Sequence, residues 1–153
     1  MPVSGPLSHL DISVGYPTRS IAFYDSLLTA LGFRRTEGFT AEFAGPNPTR
    51  AGWRLEMKGG ATFGIEVRPA RREDRDLRYD RYKPGPHHIA FHAENAAKVD
   101  QVHAAMLAVG TEVLDAPADY SGQPGYGQGY YAAFYADPDG VKVEVVYEPD
   151  SNR

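Results

Sequence analysis

A chain of 153 residues, 42% hydrophobic and 24% charged, holds one domain or two small modules sharing a core, and it is not the composition of a disordered segment. A net charge of −4, from 16 basic and 20 acidic residues, argues against nucleic acid or an anionic membrane as partner, and no run approaches the roughly 20 apolar residues that span a bilayer. Without cysteine, disulfides, thiolate zinc sites and iron–sulfur clusters are excluded, so any metal must be held by His, Asp or Glu. Met1–Pro6 lacks the basic-then-apolar order of a signal peptide, and a cytoplasmic location is expected.

Leu7–Val14 alternates, with Leu10, Ile12 and Val14 on one face and His9, Asp11 and Ser13 on the other, which predicts a strand with one buried face. Thr18–Leu31 then reads as a helix with Ile21, Tyr24, Leu28 and Leu31 as its apolar stripe, Thr18 as N-cap and Gly32 as C-cap glycine. Short strands follow at Phe33–Glu37, Trp53–Met57 and Thr62–Val67. Arg71–Lys83, dense in Arg and Asp, reads as a solvated linker with local ion pairs.

The same order returns after the linker. His88–His92 is a strand; Ala97–Val109 is a helix with stripe Val99, Val102, Met106 and Val109, ended by Gly110. Strands are expected near Glu112–Leu114, Tyr130–Ala136 and Lys142–Tyr147, with Asp137-Pro138-Asp139-Gly140 as the hairpin turn between the last two. Ile21 and Val99, Tyr24 and Val102, Leu28 and Met106, Leu31 and Val109, and Gly32 and Gly110 are each 78 residues apart, as are Glu66 and Glu144; His9 and His88 are 79 apart. So regular an offset predicts an internal duplication. The expected fold is α+β: one domain over residues 1–153, with module one at 7–70, the linker at 71–83 and module two at 84–149. Each module is a βαβββ unit, the two forming a curved mixed sheet around a shared concave site.

His9 and His88 open the two modules, and Glu66 and Glu144 lie on their closing strands, each flanked by apolar neighbours. Alternation directs all four to the sheet face away from the helices. A carboxylate between Ile and Val needs a partner, a proton or a metal, because burying an unpaired charge costs several kcal/mol. Two imidazoles and two carboxylates suit a five- or six-coordinate Ni, Zn, Mn, Co or Fe ion with positions left for water or a bidentate substrate. His92 lies two residues beyond His88 on the same face and is a candidate acid–base group; His87 points the other way, and His103 flanks the helix stripe. The 120–131 loop places Tyr120, Tyr126, Tyr130 and Tyr131 among four glycines, reading as a binding element or a hairpin insertion, with either Tyr130 or Tyr131 facing the metal side.

His9-Leu-Asp-Ile-Ser-Val, Arg19-Ser-Ile-Ala-Phe-Tyr24, Leu31-Gly-Phe, His88-Ile-Ala-Phe and Asp137-Pro-Asp-Gly-Val-Lys-Val-Glu144 together resemble the vicinal-oxygen-chelate superfamily of glyoxalase I, bleomycin-resistance and extradiol-dioxygenase proteins, over about Leu7 to Glu148. The glyoxalase I resemblance implies a divalent metal held by His9, Glu66, His88 and Glu144, two adjacent oxygens of a small substrate bound to it, and Glu66 or Glu144 as the base that moves the proton between their carbons. His92 and Tyr130 join these two glutamates as the catalytic candidates. Extradiol dioxygenases and manganese-dependent fosfomycin-resistance proteins imply a smaller set, His9, His88 and Glu144, and an iron-dependent ring-cleaving activity is the alternative. A bleomycin-type ligand-binding protein without catalysis is the third. The resemblance also implies a homodimer, with the site closed within one chain or shared between two. Arg19, Arg34 and Arg35 are the candidates for the carboxylates of a glutathione adduct.

Overall fold

The computed structural model describes residues 7–36, 41–44 and 46–149. Met1–Pro6 and Glu37, for which the sequence raised expectations, lie outside them. The chain divides into two compact units, residues 1–77 and 78–153. Among the described residues no helix is long and apolar enough to cross a membrane.

Unit one runs β1 (His9–Val14), α1 (Pro17–Ala30), β2 (Arg34–Thr36), a single-turn α2 (Ala41–Ala44), β3 (Ala51–Glu56) and β4 (Thr62–Pro69), then a 3-10 turn at Arg72–Asp74. Its sheet has the order β1-β4-β3-β2, with β1 parallel to β4 and the other pairs antiparallel. Helix α1 starts one residue before the expected Thr18 cap. Tyr16 is the N-cap, its carbonyl accepting from the amides of Arg19 and Ser20, and Pro17 fills the first helical position. Proline suits that place because its fixed φ matches the helix and no amide bond is lost. Tyr24, Leu27 and Leu28 on α1 are fully buried, as are Val14, Trp53, Ile65 and Val67 on the sheet.

Unit two runs β5 (Ile89–His92), α3 (Ala96–Ala108), β6 (Glu112–Asp119), β7 (Tyr131–Ala136) and β8 (Lys142–Tyr147). The order β5-β8-β7-β6 repeats that of unit one, again with the first strand parallel to the last. Asn95 caps α3, its side chain accepting from the Lys98 amide at 2.7 Å. Both helices end in the same motif: Phe33 N–H donates to Leu28 O and Gly32 N–H to Thr29 O, as Thr111 donates to Met106 and Gly110 to Leu107. Gly32 and Gly110 supply the required positive φ of +91° and +70°. Val109, expected in the apolar stripe, is instead the C-cap and 48% exposed, since the chain has left the helical spiral there.

Strand β6 continues five residues beyond the expected Leu114, through Pro117, with register shifts against β7 on the way. Proline is tolerated because β6 is an edge strand and the irregularity spares it a ladder position. The Asp137–Gly140 turn forms as read from sequence: Asp137 Oδ1 accepts from the amides of Asp139 and Val141, and Gly140 has φ +91°.

Each core rests on a helix pressed against one sheet face, so a truncation inside it is costly. Leu28→Ala is expected to lower stability by about 2–5 kcal/mol in urea unfolding. A loss under about 0.5 kcal/mol would show that α1 is not what holds unit one together.

Candidate functional site

The two units place equivalent residues on equivalent strands, with different surroundings. In unit one Asp11 pairs with Glu66 across β1 and β4; in unit two Ala90 pairs with Glu144 across β5 and β8. Both carboxylates therefore stand beside the first strand of their own unit, on the face away from the helix.

Glu144 is 2% exposed. Its Oε2 lies 3.0 Å from His88 Nε2, and its Oε1 accepts a short hydrogen bond from the Tyr130 hydroxyl. Burial, and then the adjacent Glu144 carboxylate, push the Tyr130 phenol well above its ordinary range, so it remains a hydrogen-bond donor. His88 Nδ1 is 2.8 Å from His87 Nδ1, and the His87 ring packs edge-on against both His88 and Tyr82. His87 was expected to point to the opposite face from His88; the two rings instead meet, both residues lying just before β5, where strict alternation does not apply. Tyr130, Glu144, His88 and His87 form one continuous polar chain.

The 120–131 loop builds a second apolar layer on this sheet. Tyr120, Tyr126 and Tyr130 pack on one another with centroids 4.7–6.5 Å apart, and Tyr120 meets Phe134 edge-on. Ala132, Phe134 and Val146 are buried beneath them. The loop neck is closed by Tyr120 N–H to Tyr130 O at 2.8 Å and Gly129 N–H to Ser121 Oγ at 2.7 Å. Tyr131 turns to the helix side, its hydroxyl donating to Asp100 at 2.9 Å, so Tyr130 is the residue that faces the carboxylate. His92 is 68% exposed, with Glu148 at 3.9 Å. His103 stacks on Tyr135 and bonds its hydroxyl at 3.1 Å, a core-edge role.

In unit one, Glu66 Oε1 accepts from Arg50 Nε at 3.0 Å, from Arg50 Nη2, and from Arg68 Nη2 at 3.3 Å. Arg68 also reaches Asp11 at 3.4 Å, and Arg50 reaches Glu42 at 3.6 Å. Partial burial opposes ionisation of Glu66, but the two guanidiniums outweigh it and hold its carboxyl below the usual range. Arg50 escaped the sequence reading because its strand begins earlier than expected; with β3 at Ala51 and Gly52 opposite Glu66, it falls beside that carboxylate. His9 is exposed, its Nδ1 3.2 Å from Ser8 Oγ, and shares a cleft of about 160 Å³ with Ser8, Asp11, Trp53, Arg54 and Glu66. Arg19 lies over the Tyr16 ring, while Arg35 pairs with Asp25 and covers Trp53.

The His88–Glu144 geometry fits two adjacent ligands of one ion. Donors at roughly 2.1 Å from a metal and at right angles lie about 3.0 Å apart, the separation found here. Glu66 fits less readily, since two guanidiniums hold its Oε1 and their charge opposes a cation there. Among the described residues, neither unit alone gathers three His, Asp or Glu side chains into a metal site.

The lowered pKa of Glu66 has a testable consequence. A carboxyl depressed on folding stabilises the protein above its unfolded pKa of about 4.3 and loses that contribution as pH falls through the folded value. The stability gap between wild type and Glu66→Gln is expected to be open at pH 6 and to narrow toward pH 3 in urea titrations. A gap independent of pH would refute the ion-pair assignment.

Residues 7–145 match the family model described as the Glyoxalase/Bleomycin resistance protein/Dioxygenase superfamily. An uncharacterized Bacillus subtilis protein, YqjT, is 28% identical over 141 residues, spanning 92% of this chain and 97% of that one. A candidate glyoxalase from Bacillus halodurans superposes with a TM-score of 0.68 at 26% identity, covering 94% of this chain and 96% of that one. A lactoylglutathione lyase from Agrobacterium tumefaciens, 19% identical with 96% of each chain covered and a TM-score of 0.53, shares the fold.

Proposed function

The chain belongs to the Glyoxalase/Bleomycin resistance protein/Dioxygenase superfamily, and on that premise we propose that it is a metal-dependent enzyme of the glyoxalase I type, acting on a small substrate through two vicinal oxygens. The observation that carries this reading is the buried Glu144 carboxylate set 3.0 Å from His88 Nε2. His88 and Glu144 would hold the ion, with His9, at the equivalent place of unit one in this chain or in a second copy, as a further donor. Glu66 joins them in the four-ligand version, on release from Arg50 and Arg68. A bound divalent ion would supply Lewis acidity, drawing electron density from the two substrate oxygens.

The chain's own residues account for the rest. Glu144 Oε2 is the proton carrier, taking the proton from one carbon of the substrate and returning it to the neighbouring one. Tyr130, donating to Oε1, fixes the carboxylate plane; Oε2, 3.0 Å from His88 Nε2, must be released from that pairing to perform this task. His87 orients His88 through Nδ1, so that Nε2 is the nitrogen presented to a ligand. The aromatic layer of Tyr120, Tyr126 and Phe134 keeps water from this side of Glu144. His92, solvent-facing beside Glu148, is assigned to proton exchange with bulk water.

Wild-type protein is expected to take up one divalent ion per chain by plasma mass spectrometry, and His88→Ala and Glu144→Gln to lose it. Tyr130→Phe is expected to weaken metal affinity or activity roughly 10–100-fold while remaining folded. Absence of uptake by the wild type across Ni, Zn, Mn, Co and Fe ends this reading.

Two observations favour a second reading, an iron-dependent ring-cleaving dioxygenase using His9, His88 and Glu144. Glu66 is engaged by Arg50 and Arg68, and aromatic rings lie beside Glu144. Catechol-dependent oxygen consumption by iron-loaded protein selects this activity; turnover of a hemithioacetal without oxygen uptake selects the first.

A further inference from the structure

Strand register sets four residues of unit one in a single row across the sheet: Arg34 opposite Arg54, Arg54 opposite Gly64, and Gly64 opposite His9. Residues opposed in this way project from the same sheet face, here the one away from α1. The next row on that face is Thr36, Gly52, Glu66 and Asp11. Glycine at the centre of both rows leaves a trough. A β-carbon on Gly64 would stand 3.5 Å from His9 Cβ, and one on Gly52 only 2.6 Å from Thr36 Oγ1.

Within these two rows the acids are paired and two arginines are not, while Glu56 stands on the same face one row further along β3. Asp11 and Glu66 are neutralised by Arg68 and Arg50. Arg34 and Arg54 face each other with like charge, and neither has an ion-pair partner among the described residues. Like charges directly opposed on a sheet are unfavourable, so the pair opposes folding and asks for an anion from outside. Arg54 lines the cleft that also holds His9.

We infer that Arg54, with Arg34 beside it, is the anion-recognition element of this site: it binds the carboxylate, phosphate or phosphonate group of a small substrate whose other end extends over Gly64 toward His9. The inference rests on the function proposed above and names its substrate class. The Arg54 and His9 backbones are two strand spacings apart, about 9–10 Å, and the guanidinium shortens that span. The cleft, about 160 Å³ and open to solvent, accommodates a compact acid of a few carbon atoms. A guanidinium matches the two oxygens of such a group with paired N–H donors.

The test uses the full chain, chelator-treated, with backbone amide NMR of Gly64 and Arg54 followed during titration with inorganic phosphate and, separately, with succinate, against choline chloride at matched ionic strength. At least one anion is expected to shift these amides saturably. Arg54→Gln is expected to weaken binding roughly tenfold or more, and Arg34→Gln to weaken it less. Arg72→Gln, a change in the exposed 3-10 turn, should leave it unaltered. Arg54→Gln should also keep or raise the melting temperature, because it relieves repulsion; a purely structural arginine would lower it. Succinate binding without phosphate binding assigns a carboxylic acid, and the converse a phosphate or phosphonate. A non-saturable response to both, or unchanged affinity in Arg54→Gln, overturns the inference. Metal uptake at His88 and Glu144 is measured separately, so this proposal and the metal reading fail by different signs.

Discussion

Parallel pairing of the first strand of each unit with its last is the constraint on which the rest depends. Parallel neighbours cannot be joined by a tight turn, so the chain must cross over, and here α1 and α3 open that crossing. The remaining strands return antiparallel, which puts the closing strand in the interior of the sheet beside the opening one. A carboxylate on β4 or β8 is thereby held next to residues near the start of β1 or β5. Neither pairing nor proximity needs any special side chain; both follow from the path of the chain.

From that common frame the two units have reached different solutions for the same acid. Glu144 is fully withdrawn from water and is satisfied by a phenol and an imidazole, partners that compensate it without a permanent positive charge. Glu66 keeps 27% of its side chain exposed and is compensated by two guanidiniums. A carboxylate buried with such partners retains the capacity to ligate an ion, since no fixed positive charge stands against it. One clamped between arginines has largely lost that capacity. The duplicated topology is symmetric, and the chemistry is not.

The sequence carried the architecture well because the signals are local and occur twice. Helix stripes, the two C-cap glycines and the Asp137–Gly140 turn depend on neighbours within about five residues, and the offset between halves checked each against the other. Misplaced boundaries came from residues whose meaning depends on position: Pro17 opens a helix, Pro117 sits in an edge strand, and Val109 ends a stripe it was expected to continue. The site was legible in residue type but not in partnership. His88 and Glu144 were singled out as candidates by the offset between the halves and Tyr130 only as one of two tyrosines, whereas the arginine clamp on Glu66 required knowing that β3 lies between β2 and β4. The His87–His88 contact was hidden for a related reason, as alternation governs strand residues and both histidines precede the strand.

Tyr130 and Tyr131 are consecutive, yet their hydroxyls serve opposite faces, one reaching Glu144 and the other Asp100 on α3. Sliding β7 by one position past its neighbour would bring Gly129 to the place of Tyr130, or Ala132 to that of Tyr131, and one of the two acids would lose its phenol. The adjacent tyrosines thus act as a proofreading pair: only a correctly threaded hairpin satisfies both acids, and a slip in either direction leaves a penalty on one surface of the sheet.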